Sequence, residues 1–114
     1  MNSHKILFVM FLVFGLIGAI RDFGPVSIGE TYLLHVNVNN EGEKDLDDLK
    51  VRVLIYDLGS IFQSGSFDLN DGDTTGKRVF WDVPSNVQPG DYWAKIIVSN
   101  DDVRDVRHRI ITII

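Results

Sequence analysis

Short runs in which apolar and polar residues alternate make up most of the chain after residue 21, and this period of two predicts β-strands. The predicted strands cover residues 23–28, 31–39, 49–56, 61–69, 77–83, 91–99 and 103–114. Gly, Asn, Asp and Pro separate these runs at intervals of about 8 to 12 residues. The pattern therefore predicts an all-β fold, a seven-stranded antiparallel Greek-key β-sandwich.

The alternation also predicts which side chains of the clearer strands lie in the core. The predicted core positions are Tyr32, Leu34, Val36, Val38, Leu49, Val51, Val53, Ile55, Val79, Trp81, Val83, Tyr92, Ala94, Ile96 and Val98. The final run has an ambiguous register, because its isoleucines at 110, 111, 113 and 114 fit either face of a strand. Without cysteines the core is held by packing alone.

The first twenty residues differ from the rest, because an uncharged apolar run at residues 6–20 follows Lys5. As a helix this run is roughly 22 Å long, shorter than a hydrocarbon core of about 30 Å. We expect residues 1–20 to be a hydrophobic helix, a signal peptide or an uncleaved signal anchor, ahead of a domain at residues 23–114. Cleavage after Ala19 leaves Ile17 at the third position back, where a small residue is preferred, so both alternatives stay open.

The charge pattern around this run places the chain outside the cytoplasm, secreted or membrane-anchored, because Lys5 favours a cytoplasmic N-terminal side. The other interpretation is that residues 6–20 are a buried core helix or strand. The absence of a polar face along the run disfavours that interpretation. Export is therefore the expected destination of the β domain.

Composition excludes several classes of function. The chain has 114 residues, 16 acidic against 11 basic residues and no cysteine. The acidic balance argues against nucleic-acid binding, and the lack of cysteine excludes disulfides, thiolate metal sites and a cysteine nucleophile. A Gly-x-Ser-x-Gly elbow and a phosphate-binding glycine loop ahead of a helix are also missing from the sequence. We expect the protein not to be an enzyme.

Three stretches together resemble a known family of modules. They are VNVNNEGEKDLDDLKVRVLIYD at residues 36–57, SFDLNDGD at residues 66–73 and VPSNVQPGDYWAKIIVSND at residues 83–101. Residues 26–114 resemble the immunoglobulin-like modules of prokaryotic surface proteins, especially the cell-adhesion-related (CARDB-like) domains of archaea and bacteria. The resemblance implies an immunoglobulin-like sandwich and a role in surface contact, and it implies no catalytic residues.

The segment around Tyr92 has a structural interpretation of its own. Pro89 and Gly90 form a tight turn, because proline presets φ and glycine tolerates positive φ. Tyr92 follows directly and is a candidate tyrosine corner, in which the hydroxyl binds backbone near the preceding turn. With Trp81 as a large core residue, these are the predicted structural residues.

One acidic turn is a weak candidate for calcium binding. Asp68, Asn70, Asp71 and Asp73 surround Gly72, and calcium prefers several oxygen ligands close together. The spacing fails as an EF-hand, because Gly72 falls at position 5 when counting starts from Asp68. A hairpin turn explains the same residues more simply. No other cofactor is expected.

The remaining charged groups are interpreted as exposed surface. The acidic run of Glu41, Glu43, Asp45, Asp47 and Asp48 is most simply a solvated loop, with an interloop cation site shared with Asp101 and Asp102 as the alternative. His35 and His108 have no zinc spacing. The arginines at 104, 107 and 109 balance the acidic loops or contact an anionic partner.

The sequence thus favours an exported, non-catalytic module that acts by protein contact at the cell surface, in adhesion or as part of a surface structure. A small surface-filament subunit with a buried N-terminal helix is one alternative, and calcium-dependent carbohydrate or surface binding, with Trp93 stacking on sugars, is another. The expected partners are other surface proteins or further copies of the chain, bound through the C-terminal strand if that strand lies at a sheet edge. The membrane is a partner through residues 6–20 if they stay uncleaved.

Overall fold

The computed structural model describes residues 15–22 and 24–114, which form eight β-strands in two sheets. The three-stranded sheet has the order β1-β2-β6 and consists of β1 (Ile17–Asp22), β2 (Thr31–Asn39) and β6 (Thr74–Asp82). The five-stranded sheet has the order β4-β3-β7-β8, and β5 also pairs with β3. Its strands are β3 (Leu46–Ile55), β4 (Ser60–Gln63), β5 (Phe67–Leu69), β7 (Gly90–Ser99) and β8 (Arg104–Ile113). Neighbouring strands pair antiparallel throughout both sheets.

One hydrophobic core lies between the two sheets, and the alternation in the sequence predicted it correctly. All the predicted core residues are buried except Tyr92, which is partly buried and packs against the core. At one end of the core the Phe62 ring stacks on Trp81, with centroids 5.7 Å apart, and meets the edge of Tyr32. The all-β class and the antiparallel sheets are therefore confirmed.

The number of strands differs from the seven that were expected. The predicted strand at residues 61–69 is two short strands, β4 and β5, which pair with different parts of β3. Between them Ser64 bonds the backbone of Val51 with both its amide and its hydroxyl, so the chain changes pairing around this residue. The short turn of 3₁₀-helix at Tyr56–Leu58 lies between β3 and β4.

The first strand also lies elsewhere than expected. It covers Ile17–Asp22, whereas the predicted strand at residues 23–28 is irregular, apart from an isolated bridge between Val26 and Ile113. Gly24, with φ of +85°, and Pro25 interrupt the extended chain here. The domain therefore begins before residue 23, and residues 17–20 of the expected N-terminal helix are strand.

Gly15 and Leu16 are not helical either, and residues 1–14 of the expected N-terminal helix lie outside the described residues. Among the residues that the structure does describe, no helix is long and apolar enough to span a membrane. The expectation of a signal peptide or signal anchor for residues 1–20 thus remains a prediction for that segment.

Two strands have clearer boundaries than the sequence indicated. β3 begins at Leu46, so Asp47 and Asp48 of the acidic run lie within a strand, at a register shift where Asp48 adopts φ of +57°. The ambiguous last strand is resolved, because Ile111 and Ile113 are buried while Ile110 and Ile114 are exposed. β8 lies at the end of its sheet, with β7 as its paired neighbour.

Candidate contact surface

The acidic turn proposed for calcium is held by hydrogen bonds to the neighbouring acidic run and by one backbone bond of its own. The Asp68 carboxylate accepts the Asp48 amide at 3.0 Å, and the Asp71 amide donates to the Asp45 carboxylate at 3.0 Å. The Asp73 amide closes the turn on the carbonyl of Asn70 at 3.1 Å. Within residues 15–22 and 24–114, no three acidic or histidine side chains lie close enough to hold a metal ion. The turn interpretation accounts for these contacts, and calcium binding stays a prediction.

Asn40 connects the loops at this end of the sandwich, a role that no sequence pattern indicated. It is the one polar residue among those described that is buried, with 3% of its surface exposed. Its side-chain amide donates to the carbonyls of Lys44 and Leu69, at 2.7 and 3.0 Å, and its side-chain oxygen accepts the Gly42 amide. Its backbone bonds both Asp73 and Gly72. Asn40 therefore joins the β2–β3 loop to the turn before β6.

The acidic run and the β7–β8 loop meet, as the interloop hypothesis required, but the contact uses an asparagine. The Asn100 side chain donates to the carbonyl of Asp47 at 2.8 Å and accepts the amides of Asp102 and Val103. Beside it a shallow groove is lined by Asp48, Lys50 and Asp101. Mixed charges in this groove argue for solvation rather than for a cation site.

The predicted structural residues lie at the opposite end. The Tyr92 hydroxyl donates to the carbonyl of Gln88, four residues earlier, which is the contact that defines a tyrosine corner. Pro89 and Gly90 are exposed, and Gly90 has φ of +152°. Trp81 is 7% exposed in the core.

The histidines and the arginine group serve different local contacts. His35 is half-buried, facing Gly76 on the neighbouring strand, whereas the sequence suggested an exposed residue. Arg107 donates to the carbonyl of Ile17, and Arg109 donates to the carbonyl of His108. These contacts make the arginines part of the edge structure.

The largest unexplained feature is the outer face of the five-stranded sheet. Ala94 and Ile111 are buried, so alternation turns Trp93 and its cross-strand partner Ile110 outward, where they are 60% and 49% exposed. Two more large side chains, Tyr56 directly after β3 and Ile61 on β4, are 60% and 66% exposed. We call these four residues the apolar patch.

Basic residues follow the apolar patch along the same face. Leu54 pairs with Ile61 on one side and with Lys95 on the other, and Arg52 pairs with Ile97 in the next row. Lys50 and Arg104 lie opposite Ser99 from its two sides. We call Lys50, Arg52, Lys95 and Arg104 the basic rim. Sequence reasoning had noted Trp93 but missed the patch, because its members come from separate strands.

Comparison with known proteins bears on the fold. No protein-family model matches the sequence, and no curated protein is similar to it. The crystal structure of the CARDB domain of the PF1109 protein from Pyrococcus furiosus, in complex with di-metal ions, is similar with a TM-score of 0.59 at 18% identity, over 83% of this chain and 84% of that chain. Its solution NMR structure gives a TM-score of 0.58 at 18% identity, over 83% and 90%.

Domains of larger proteins are similar as well. Red sea bream transglutaminase gives a TM-score of 0.66 at 13% identity, over 84% of this chain but 14% of the enzyme. Identities this low show the fold alone. The resemblance suggested by the sequence is thus confirmed at that level, and the chain has the CARDB-like fold, an immunoglobulin-like β-sandwich.

Proposed function

We propose that this chain is an exported, non-catalytic module that acts by protein contact at the cell surface, in adhesion or as part of a surface structure. The observation that carries the proposal is the apolar patch. Large apolar side chains that lie together on an outer sheet face and are rimmed by charge are typical of protein-contact surfaces. The CARDB-like fold supports the same role.

The residue types of this face suit a protein partner. Trp, Tyr and Arg are the residues that most often dominate binding energy at protein interfaces, and the face offers Trp93, Tyr56 and Arg52. Trp93 also packs against the His108 ring in a T-shaped arrangement, with centroids 6.2 Å apart, which restricts its rotamers. A fixed aromatic side chain loses little conformational entropy on binding.

The charge of the face suggests what the partner looks like. The chain carries a formal charge of −5, yet the basic rim gathers four of its cations on one face, with Asp48 and Asp101 beside Lys50 and Arg52 at the acidic end of that face. Asp91 lies beyond the patch, where it accepts a hydrogen bond from Thr112 at 2.7 Å. We therefore propose a protein partner with an acidic surface, since complementary charge favours encounter and orients docking.

Photo-crosslinking on intact host cells tests this proposal. A photo-reactive amino acid replaces Trp93 in one strain and Phe80 in a control strain, because Phe80 is 58% exposed on the outer face of the other sheet. We expect protein adducts from position 93, with crosslinked peptides rich in Asp and Glu, and few adducts from position 80. The reversals Arg52→Glu and Lys95→Glu should weaken the adducts.

Each other outcome contradicts a named part of the proposal. Adducts confined to lipid or polysaccharide, or equal adducts from both positions, would refute protein contact through this face. Adducts that join two copies of the chain would favour the surface-filament alternative instead. Recovery of the protein only from the cytoplasmic fraction would refute export.

A further inference from the structure

Leu16, just before β1, and Ile17, its first residue, contact both sheets of the sandwich. Leu16 and Ile17 are each 2% exposed and belong to the core. The Leu16 carbonyl accepts the Asn39 amide of β2 at 2.8 Å, within the three-stranded sheet. This end of the chain therefore contributes both apolar area and backbone pairing to the domain.

Two side chains of the five-stranded sheet hydrogen-bond the backbone of Ile17. The Ile17 amide donates to the Asp105 carboxylate at 2.9 Å, and the Ile17 carbonyl accepts from the Arg107 guanidinium at 3.0 Å. Asp105 and Arg107 lie on β8, so these two hydrogen bonds join β1 of the three-stranded sheet to β8 at the edge of the five-stranded sheet. Both groups of the Ile17 backbone are satisfied by charged partners, which form the stronger hydrogen bonds.

Gly18 shows that the fit is close. A Cβ atom at this position would lie 2.8 Å from the Asn39 side-chain nitrogen, closer than a carbon atom can approach. The neighbouring Ala19, in contrast, is exposed. The small size of Gly18 thus has a structural explanation within the sheet, whereas the exposed position of Ala19 places no limit on side-chain size.

We infer that Leu16–Asp22 belongs to the mature protein, so that any processing of the exported chain occurs before Leu16. Cleavage after Ala19 would leave three residues of β1, remove Leu16 and Ile17 from the core and deprive Asp105 and Arg107 of their partner. The apolar run ahead of Gly15 still has the length of a signal-peptide core, at residues 6–14. The inference rests on the export part of the proposed function.

The first experiment is the intact mass of the protein recovered from its own host, with cytoplasmic, membrane and medium fractions compared. We expect every folded species to begin at or before Leu16, whether it is full-length or processed. A folded species that begins at Ile17 or later would overturn the inference. The fraction in which the protein is found tests export separately, so the two failures are distinguishable.

Two substitutions in the full chain separate a structural strand from a cleavage site. Ala19→Tyr puts a large residue where cleavage after residue 19 needs a small one, at an exposed position of β1. We expect the same mature N-terminus and a melting temperature close to that of the wild type. A change in the processed N-terminus would overturn the inference.

Ile17→Ala is the matched change at a buried position of the same strand. Because this truncation opens the core, we expect the melting temperature to fall by roughly 10 °C or more. If this variant does not accumulate, hydrogen exchange of the wild-type chain serves instead. We expect slow exchange of the Ile17 amide, and exchange at the rate of an unfolded peptide would overturn the inference.

Discussion

Replacing Asn40 tests whether one buried side chain holds the loops at its end of the sandwich together. Asn40→Ala removes both donated hydrogen bonds, to the carbonyls of Lys44 and Leu69, and the acceptor of the Gly42 amide. The bond to Leu69 is fully buried, so water cannot replace it without entering the core.

The expected cost follows from these contacts. A typical protein hydrogen bond contributes about 0.5–1.5 kcal/mol, and a buried carbonyl left without a partner costs about 1–3 kcal/mol. With one buried and two partly exposed bonds removed, we expect the free energy of unfolding to fall by about 2–4 kcal/mol. Asn40→Asp should cost at least as much at neutral pH, because a carboxylate would then face two carbonyl oxygens.

Urea denaturation followed by circular dichroism measures this loss. With a slope of about 1–1.5 kcal/mol per molar urea, the midpoint should fall by roughly 2 M. The control is Asn86→Ala, since Asn86 is exposed, and its effect should lie within about 0.5 kcal/mol of zero. If Asn40→Ala and the control were equally mild, the proposed role of Asn40 would be refuted.

Three further measurements depend on other contacts. Burial, with a smaller contribution from Asp22, raises the pKa of Tyr32, so the neutral form of its hydroxyl favours folding. The free energy of unfolding should therefore fall as pH rises above about 10. Tyr32→Phe should flatten that fall, and equal pH dependence in wild type and variant would contradict the prediction. Iodide should quench the fluorescence of exposed Trp93 but not that of buried Trp81. Trp93→Phe should therefore remove the quenchable part of the fluorescence. If the quenchable part persisted in this variant, Trp93 would not be its source and would be covered. Millimolar calcium chloride should leave the melting temperature unchanged, because the Asp68 carboxylate already accepts a backbone amide, and an upward shift would instead support the calcium alternative.

The core could be predicted because strand periodicity is a local property. In β2 the side chains of Tyr32, Leu34, Val36 and Val38 are buried while the residues between them are not, and one strand is enough to see this. The same local pattern could not divide residues 60–69 into β4 and β5. That division depends on which part of β3 each segment meets, and pairing is a property of two strands together.

β1 partly matches the alternative that the sequence disfavoured, a buried strand within residues 6–20, because its first residues continue an apolar run typical of an export signal. Ile17 and Ile20 both pair with buried residues of β2, but a register shift between them breaks the period of two. A run without alternation fits a membrane segment and a buried strand equally well. Here Asp105 and Arg107 favour the strand, and they lie about 90 residues away in sequence. A local window cannot include such partners.

The apolar patch and the acidic loops show the same limit for function. Trp93 stood out in the sequence and alternation along β7 turns it outward, but its apolar neighbour Ile110 follows only from the pairing of β7 with β8. The turn around Gly72 looked like a set of metal ligands because oxygen-rich residues suit both turns and cations. The hydrogen bonds that join Asp68 and the Asp71 amide to the acidic run fit the turn interpretation, and no local pattern reveals them.

Position on the sandwich links the retained first strand to the apolar patch. The chain enters the domain at Gly15, beside Glu41, at the end where the acidic loops lie. The apolar patch lies on a side of the sandwich instead, along strands that run away from that end. Retention of β1 therefore leaves the apolar patch uncovered, and the two proposals are compatible in one molecule.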